Sequence, residues 1–303
     1  MIKPKAIQKR SKVGIVATAR AAYRKDISFA VNWLTSCGYE IAFADNIDVS
    51  CNQFAGDDKM RIDALQKMID DKSFDAIWFA KGGYGSVRII DHIDFESLKK
   101  KPKWLIGYSD PTVFHLDLHR QGMMSIHGAM PIGLADKSEN TRVYLNEILR
   151  GEPQKYRLEN KMPLNRDGYA EGELIGGNLS VIYSVIGSSS SLITDNKILF
   201  LEDLDEYLYH IDRMMMNLKR NGIFDHIKGL IIGSFNDMND NEISFGKTAY
   251  EIIFDVIKAY YFPVYFGFPA GHEKDNFPLL FGEKVEMKVN QGQFQLNSKN
   301  GSA

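Results

Sequence analysis

From Asp75 to Arg88 the chain reads DAIWFAKGGYGSVR: an apolar run, Asp75–Ala80, that ends abruptly in Lys81-Gly82-Gly83-Tyr84-Gly85. A run this short and this apolar is the mark of a strand buried on both faces. Similar runs stand at Val13–Ala17, Glu40–Ala44, Trp104–Gly107 and Ser125–His127. Helix-like text lies between them. Asp26–Cys37 is stopped by Gly38, and Asp58–Asp71 carries an apolar stripe of Met60, Ile62, Leu65, Met68 and Ile69. A third helical segment, with Val113, Phe114 and Leu116, follows Ser109. This alternation predicts a parallel sheet covered by helices. In such sheets functional groups sit on loops beyond the carboxyl ends of the strands. The glycine-rich loop and Ser109 both fall there.

The pattern lapses into polar text after Gly151, which reads as a connection between domains. A chain of 303 residues exceeds what one hydrophobic core usually serves. Two domains are expected: 1–152, a linker over 153–172, and 173–303. The second half holds helices near Asn178–Ile186, Tyr209–Arg220 and Lys247–Tyr260, with strands at Lys197–Leu201 and Gly229–Gly233. Lys284–Val289 and Gln293–Leu296 flank Asn290-Gln291-Gly292, a hairpin signal.

Lys and Arg number 37 against 39 Asp and Glu, a net charge of −2. No basic excess marks a nucleic-acid binder, so a small partner is expected. Cys37 and Cys51 are too few for a disulfide framework or a cysteine zinc site. No signal peptide is read in MIKPKAIQKRSK and the VGIVATA after it, and no apolar run approaches the ~18 residues of a membrane span. No membrane partner is expected, and the cytoplasm is the expected compartment.

Several nucleotide and metal signatures fail. Gly246-Lys247-Thr248 ends like a phosphate loop, but Asn241 takes the place of its first glycine. Gly83–Arg88 begins like a dinucleotide fingerprint and ends in Arg88 instead of glycine, and His272-Glu273 lacks the second histidine of a zincin helix. What survives is less generic. Gly82–Gly85 is either a tight turn or a backbone cradle for an oxyanion or an anionic ligand, with Lys81 and Arg88 as nearby cations. Strand, Gly107, Tyr108, Ser109, Asp110 and helix is the layout of a nucleophile elbow. Pro111 replaces its final glycine, and Ser-Asp-Pro reads equally well as a helix start.

A serine nucleophile needs a base and a group to orient it. Of seven histidines, His115 and His119 ride the helix after Ser109, His127 ends a strand, His92 lies in loop-like text, and His210 and His226 have polar surroundings. His272 closes the constrained loop GFPAGH, where a histidine has little use as core. Glu202 ends the apolar run ILFL and so places a charge at the lip of a sheet, as catalytic carboxylate or structural ion pair.

Together these residues resemble the LD-carboxypeptidases, the muramoyltetrapeptide carboxypeptidases of serine peptidase family S66. The matching stretches are Lys81–Arg88, Ile106–Asp110, His127-Gly128, Ile175–Ser180, Leu199–Asp203 with Ile211–Met214, and Gly267–His272, in family order along nearly the whole chain from Val13. The resemblance implies an α/β fold: an N-terminal parallel-sheet, Rossmann- or flavodoxin-like domain plus a smaller C-terminal α/β domain of β-rich, barrel-like character. It implies a triad of Ser109, Glu202 and His272 in the cleft between domains, with an oxyanion hole from the N–H groups of Gly83 and Asp110. Lys81, Tyr84, Arg88 and Asn178 are the expected substrate contacts. The implied enzyme is a cytoplasmic homodimer without metal or cofactor. It removes the terminal D-alanine from the L-centre of the third residue of peptidoglycan tetrapeptides, in murein recycling.

Two alternatives stand beside it. One is a microcin-immunity-type amidase cleaving a peptide-nucleotide conjugate, which needs an aromatic clamp such as Tyr207, Tyr209 or Trp104. The other is a non-catalytic muropeptide-binding module, against which complete Ser, Glu and His positions argue. Lys81 where the family commonly has arginine, Ala129 where it has proline, and Ala17-Thr18-Ala19-Arg20 where it has Ala-Pro-Ala all touch substrate-side loops. They leave the substrate's identity open.

Overall fold

The structure, a computed structural model, describes residues 1–299. It divides into two compact units, Met1–Glu152 with Lys274–Leu280, and Pro153–Glu273 with the chain from Phe281 onward. The first unit alternates β1 (Lys12–Val16), α1 (Ser28–Ser36), β2 (Glu40–Phe43), α2 (Asp58–Asp70), β3 (Phe74–Phe79), α3 (Glu96–Lys100), β4 (Trp104–Gly107), α4 (Thr112–Arg120), β5 (Ser125–His127) and α5 (Glu139–Leu149). Strands run β5-β4-β3-β1-β2, each neighbouring pair parallel. That is the flavodoxin-like order, and the fold class expected from the alternation holds.

The physical cause is burial on both faces. Ala76–Phe79 of β3 and Trp104–Ile106 of β4 are shut away from solvent. The indole N–H groups of Trp78 and Trp104 still find acceptors, at Ala129 O (2.8 Å) and Lys5 O (3.0 Å). The chain adds β2 on one side of β1 and β3 on the other, so the direction of growth reverses there. Ligands of such sheets bind at the carboxyl ends beside this switch point. The loops that leave it here run through Ala17–Arg20 and Ala80–Gly85.

The second unit comprises β6 (Lys155–Glu159), β7 (Gly168–Asn178), α6 (Leu179–Val185), β8 (Lys197–Leu204), α7 (Leu208–Arg220), β9 (Gly229–Asn236), α8 (Ala249–Ile257) and β10 (Val264–Phe266). After β11 (Leu279–Phe281), which joins the first sheet beside β5, come β12 (Lys284–Asn290) and β13 (Gln293–Ser298). The sheet order is β10-β9-β8-β7-β12-β13-β6, parallel from β7 to β10 and antiparallel across the rest. The hairpin turn has Gln291 at φ 49° and Gly292 at φ 83°, the pair of left-handed residues a two-residue turn requires.

The second unit is β-rich, as expected, and among the described residues its sheet stays open: β10 and β6 end the strand order, and an isolated bridge, Arg166 to Val264, covers the β10 edge. Two expectations about the domain bounds are corrected. The stretch 153–172 is no linker, because β6 and the first half of β7 lie in it. In β6 only Tyr156 is buried, and a strand with one face in water reads as polar text. Nor is the second unit continuous from 173, since Lys274–Leu280 belong to the first. No helix among the described residues is long and apolar enough to cross a membrane.

Candidate active site

In the first unit, Ser109 stands two residues beyond β4 at φ 65°, in the left-handed region that serine rarely occupies. Its carbonyl accepts from Thr112 N–H at 2.8 Å, which starts α4, yet no side chain caps that helix. The helix-start reading therefore accounts for the backbone and leaves the hydroxyl to other work. A Cβ placed on Gly82 would sit 3.3 Å from Ser109 Oγ, so the glycine loop runs directly alongside the hydroxyl. Gly83 and Gly85 have φ of 108° and 144°, a conformation side chains resist.

Two buried charges hold that loop. The Asp110 carboxylate accepts from Gly85 N–H (3.2 Å) and Ser86 N–H (2.8 Å), tying the loop to the residue after Ser109. Burial pushes the Asp110 carboxyl up, and these hydrogen bonds pull it back toward the ionised form. The fully buried Arg61 guanidinium donates to Thr18 O (2.7 Å) and Gly85 O (2.9 Å) and pairs with Asp58. It thereby joins the loops after β1 and β3. Sequence reasoning missed Arg61 because a polar residue in a helical stripe looks like a solvated one.

Arg88, expected as a substrate contact, already has a partner: Asp58 holds its guanidinium at 2.6 and 3.1 Å, and the same pairing holds the Asp58 carboxyl below its ordinary range. Tyr84 is exposed, its ring 6.2 Å from that of Phe54. Lys81 is half-buried, with no ion pair or hydrogen bond among the described residues. His115 is wholly buried between Ser125 Oγ (2.8 Å from Nδ1) and Gly107 O (2.8 Å from Nε2). Desolvation lowers its pKa to about 4, so it is a neutral strut under the elbow.

In the second unit, β8 carries its apolar run into Glu202, which has no solvent exposure. Glu202 Oε2 lies 2.8 Å from His272 Nδ1. His272 sits on the loop after β10, and its N–H donates to Ser234 Oγ on β9 (2.9 Å). Gly271 makes this possible. At φ 123°, a Cβ there would come within 2.8 Å of Glu202 Oε2 and closer still to Ser234 Oγ. Gly271→Ala is therefore expected to displace the imidazole and lower kcat about 10²-fold. Steady-state kinetics check this, and an unchanged kcat would show that the loop does not set the position of His272.

Beside Glu202, the buried Asp203 has its pKa raised to about 7 by desolvation and by the neighbouring carboxylate. It accepts from Asn178 Nδ2 (2.9 Å), Ser180 N–H (2.8 Å) and Leu204 N–H (2.9 Å). Asn178 in turn caps α6 through Val181 N–H. Asn178, expected as a substrate contact, is thus buried and serves as the cap of α6. His210 also meets a carboxylate, Glu206 at 2.6 Å, but as a partly buried pair between the first turn of α7 and the residue before its N-cap. Trp104 is buried in the first unit and leaves the aromatic-clamp candidates, whereas Tyr207 and Tyr209 are exposed with rings 5.5 Å apart. Gly246-Lys247-Thr248 leads into α8, where Thr248 forms a capping box with Glu251 and Lys247 pairs with Asp255.

A family model described as the LD-carboxypeptidase N-terminal domain matches residues 13–128, and one described as its C-terminal domain matches 171–287. The chain is 32% identical over 293 residues to a "Probable murein peptide carboxypeptidase" of Bacillus subtilis, covering 95% of this chain and 92% of that one. With the murein tetrapeptide carboxypeptidase of Pseudomonas aeruginosa it shares 26% identity, over 92% and 94% of the two chains. The crystal structure of muramoyltetrapeptide carboxypeptidase from Oxalobacter formigenes superposes with a TM-score of 0.87 at 27% identity, covering 96% of this chain and 99% of that one. The microcin C7 self-immunity protein MccF shares the fold, with a TM-score of 0.85 at 20% identity and 98% of both chains covered. With both domain models matched in order, the chain belongs to the LD-carboxypeptidase family and is a peptidase of that class.

Proposed function

We propose that this enzyme is a serine carboxypeptidase that releases the terminal D-alanine from peptidoglycan tetrapeptides at the L-centre of the third residue. The observation that carries the reading is Ser109, held in a left-handed turn with its hydroxyl beside Gly82. His272 Nδ1 is engaged by Glu202, so Nε2 takes the Ser109 proton as Oγ attacks the scissile carbonyl carbon. The N–H groups of Gly83 and Asp110 receive the oxyanion. Collapse of the intermediate breaks the C–N bond, and the proton on Nε2 passes to the departing D-alanine amine. Water then attacks the acyl ester, giving its proton to His272, and Ser109 leaves protonated. Glu202 steadies the imidazolium in both halves. The proposed scheme calls on neither metal nor cofactor, and the proposed setting is a cytoplasmic homodimer in murein recycling.

Mass spectrometry after incubation with a tetrapeptide muropeptide tests the reading. Loss of one D-alanine is expected; an untouched tetrapeptide would refute it. The exposed Tyr207–Tyr209 pair favours one competing substrate, a peptide-nucleotide conjugate whose base stacks on those rings. Cleavage of such a conjugate with the tetrapeptide left intact would select that amidase activity instead.

A further inference from the structure

An exopeptidase must distinguish a chain end from a chain middle, and at a C-terminus the distinguishing group is the free α-carboxylate. That carboxylate carbon is three bonds from the scissile carbonyl carbon, hence no more than about 4 Å away. Whatever reads it must stand beside the backbone that receives the oxyanion. Three guanidinium groups lie around the loops that leave β1 and β3. Arg61 is buried on Thr18 O, Gly85 O and Asp58, and Arg88 is gripped by Asp58. Arg20 differs. It is exposed, and among the described residues its side chain has no ion pair or hydrogen bond.

Its position is built rather than incidental. Arg20 leaves the end of β1 and passes across Gly83, where a Cβ would lie 2.6 Å from Arg20 Cδ and 2.7 Å from Nε. The missing side chain at Gly83 is what admits the arginine to the face of the loop. Lys81 also carries an uncommitted charge, but a guanidinium offers a planar fork matched to both carboxylate oxygens, which an ammonium does not.

We propose that Arg20 is the specificity-determining residue that binds the free α-carboxylate of the substrate's terminal residue. The inference rests on the carboxypeptidase reading of Ser109. A stem extended by one residue presents a neutral peptide group at the same place, so Arg20 also sets the register and disfavours pentapeptides.

The test measures binding of a tetrapeptide and its C-terminal amide to the Ser109→Ala enzyme, with and without Arg20→Gln or Arg20→Lys. The free acid is expected to bind about 10–100-fold more tightly than the amide, the range of a charge-assisted pair. Arg20→Gln should shrink that ratio to within about 3-fold, while Arg20→Lys, which keeps the charge and guards against a folding defect, should leave it intermediate. Discrimination that survives Arg20→Gln, that is absent from the start, or that disappears only with Lys81→Gln would overturn the proposal. Failure of the underlying reading looks different: the wild-type enzyme would still prefer the free acid through Arg20 yet release no D-alanine.

Discussion

Ser109→Ala is expected to lower turnover of a tetrapeptide by about 10⁴–10⁶ without unfolding the protein. The large factor follows from the role: without Oγ there is no acyl-enzyme, and only the oxyanion donors and substrate binding remain. The intact fold follows from the geometry. The backbone of Ser109, through its carbonyl to Thr112 N–H, starts α4, and alanine preserves that bond. His272→Ala should cost a similar factor, and the double variant should be little worse than either alone, because the two groups act as one unit. Single-turnover rates with a thermal melt for each variant make the check. A Ser109→Ala enzyme of near wild-type rate would remove the nucleophile from this site.

The second large effect is expected at Glu202. Glu202→Gln keeps the size of the side chain and should still lower kcat about 10⁴-fold. With a carboxylate at 2.8 Å, Nδ1 must carry the proton, which leaves Nε2 as the base. An amide that donates to Nδ1 reverses the tautomer and puts the proton where the base should be. The site also lacks a second partner for an amide: Glu202 Oε1 is buried with no hydrogen-bond partner among the described residues. Whichever way the amide turns, one polar atom stays unsatisfied, as Oε1 already is in the wild type, so the loss of rate is expected without a large change in Tm. A kcat within tenfold of wild type would mean that Glu202 is only an ion-pair partner.

Much of the architecture was legible in local text. The runs at β3, β4 and β8 are short and apolar because those strands are covered on both faces, and such runs show without knowledge of their neighbours. The polar half of β7 did not show. It pairs antiparallel with β12 over Gly168–Val289, far away in sequence, and alternation diluted by glycine resembles a loop. The assignment of Lys274–Leu280 to the first unit was equally hidden, since no local pattern tells a segment which core it joins.

At the site, the sequence by itself singled out the residues proposed to carry chemistry: a serine just past a strand end, a glutamate on a strand lip, a histidine in a glycine- and proline-bound loop. Tertiary structure decided what each is free to do. It placed Ser109 in a left-handed turn, set His272 against Glu202 across 70 positions, and committed Arg88 to Asp58 and Asn178 to Asp203. It also laid Arg20 over Gly83. Residue type and strand propensity act over a few neighbouring residues and can be read along the chain. Whether a charge has a partner depends on strand register and on glycines that admit a side chain, and only the folded sheet brings those groups together.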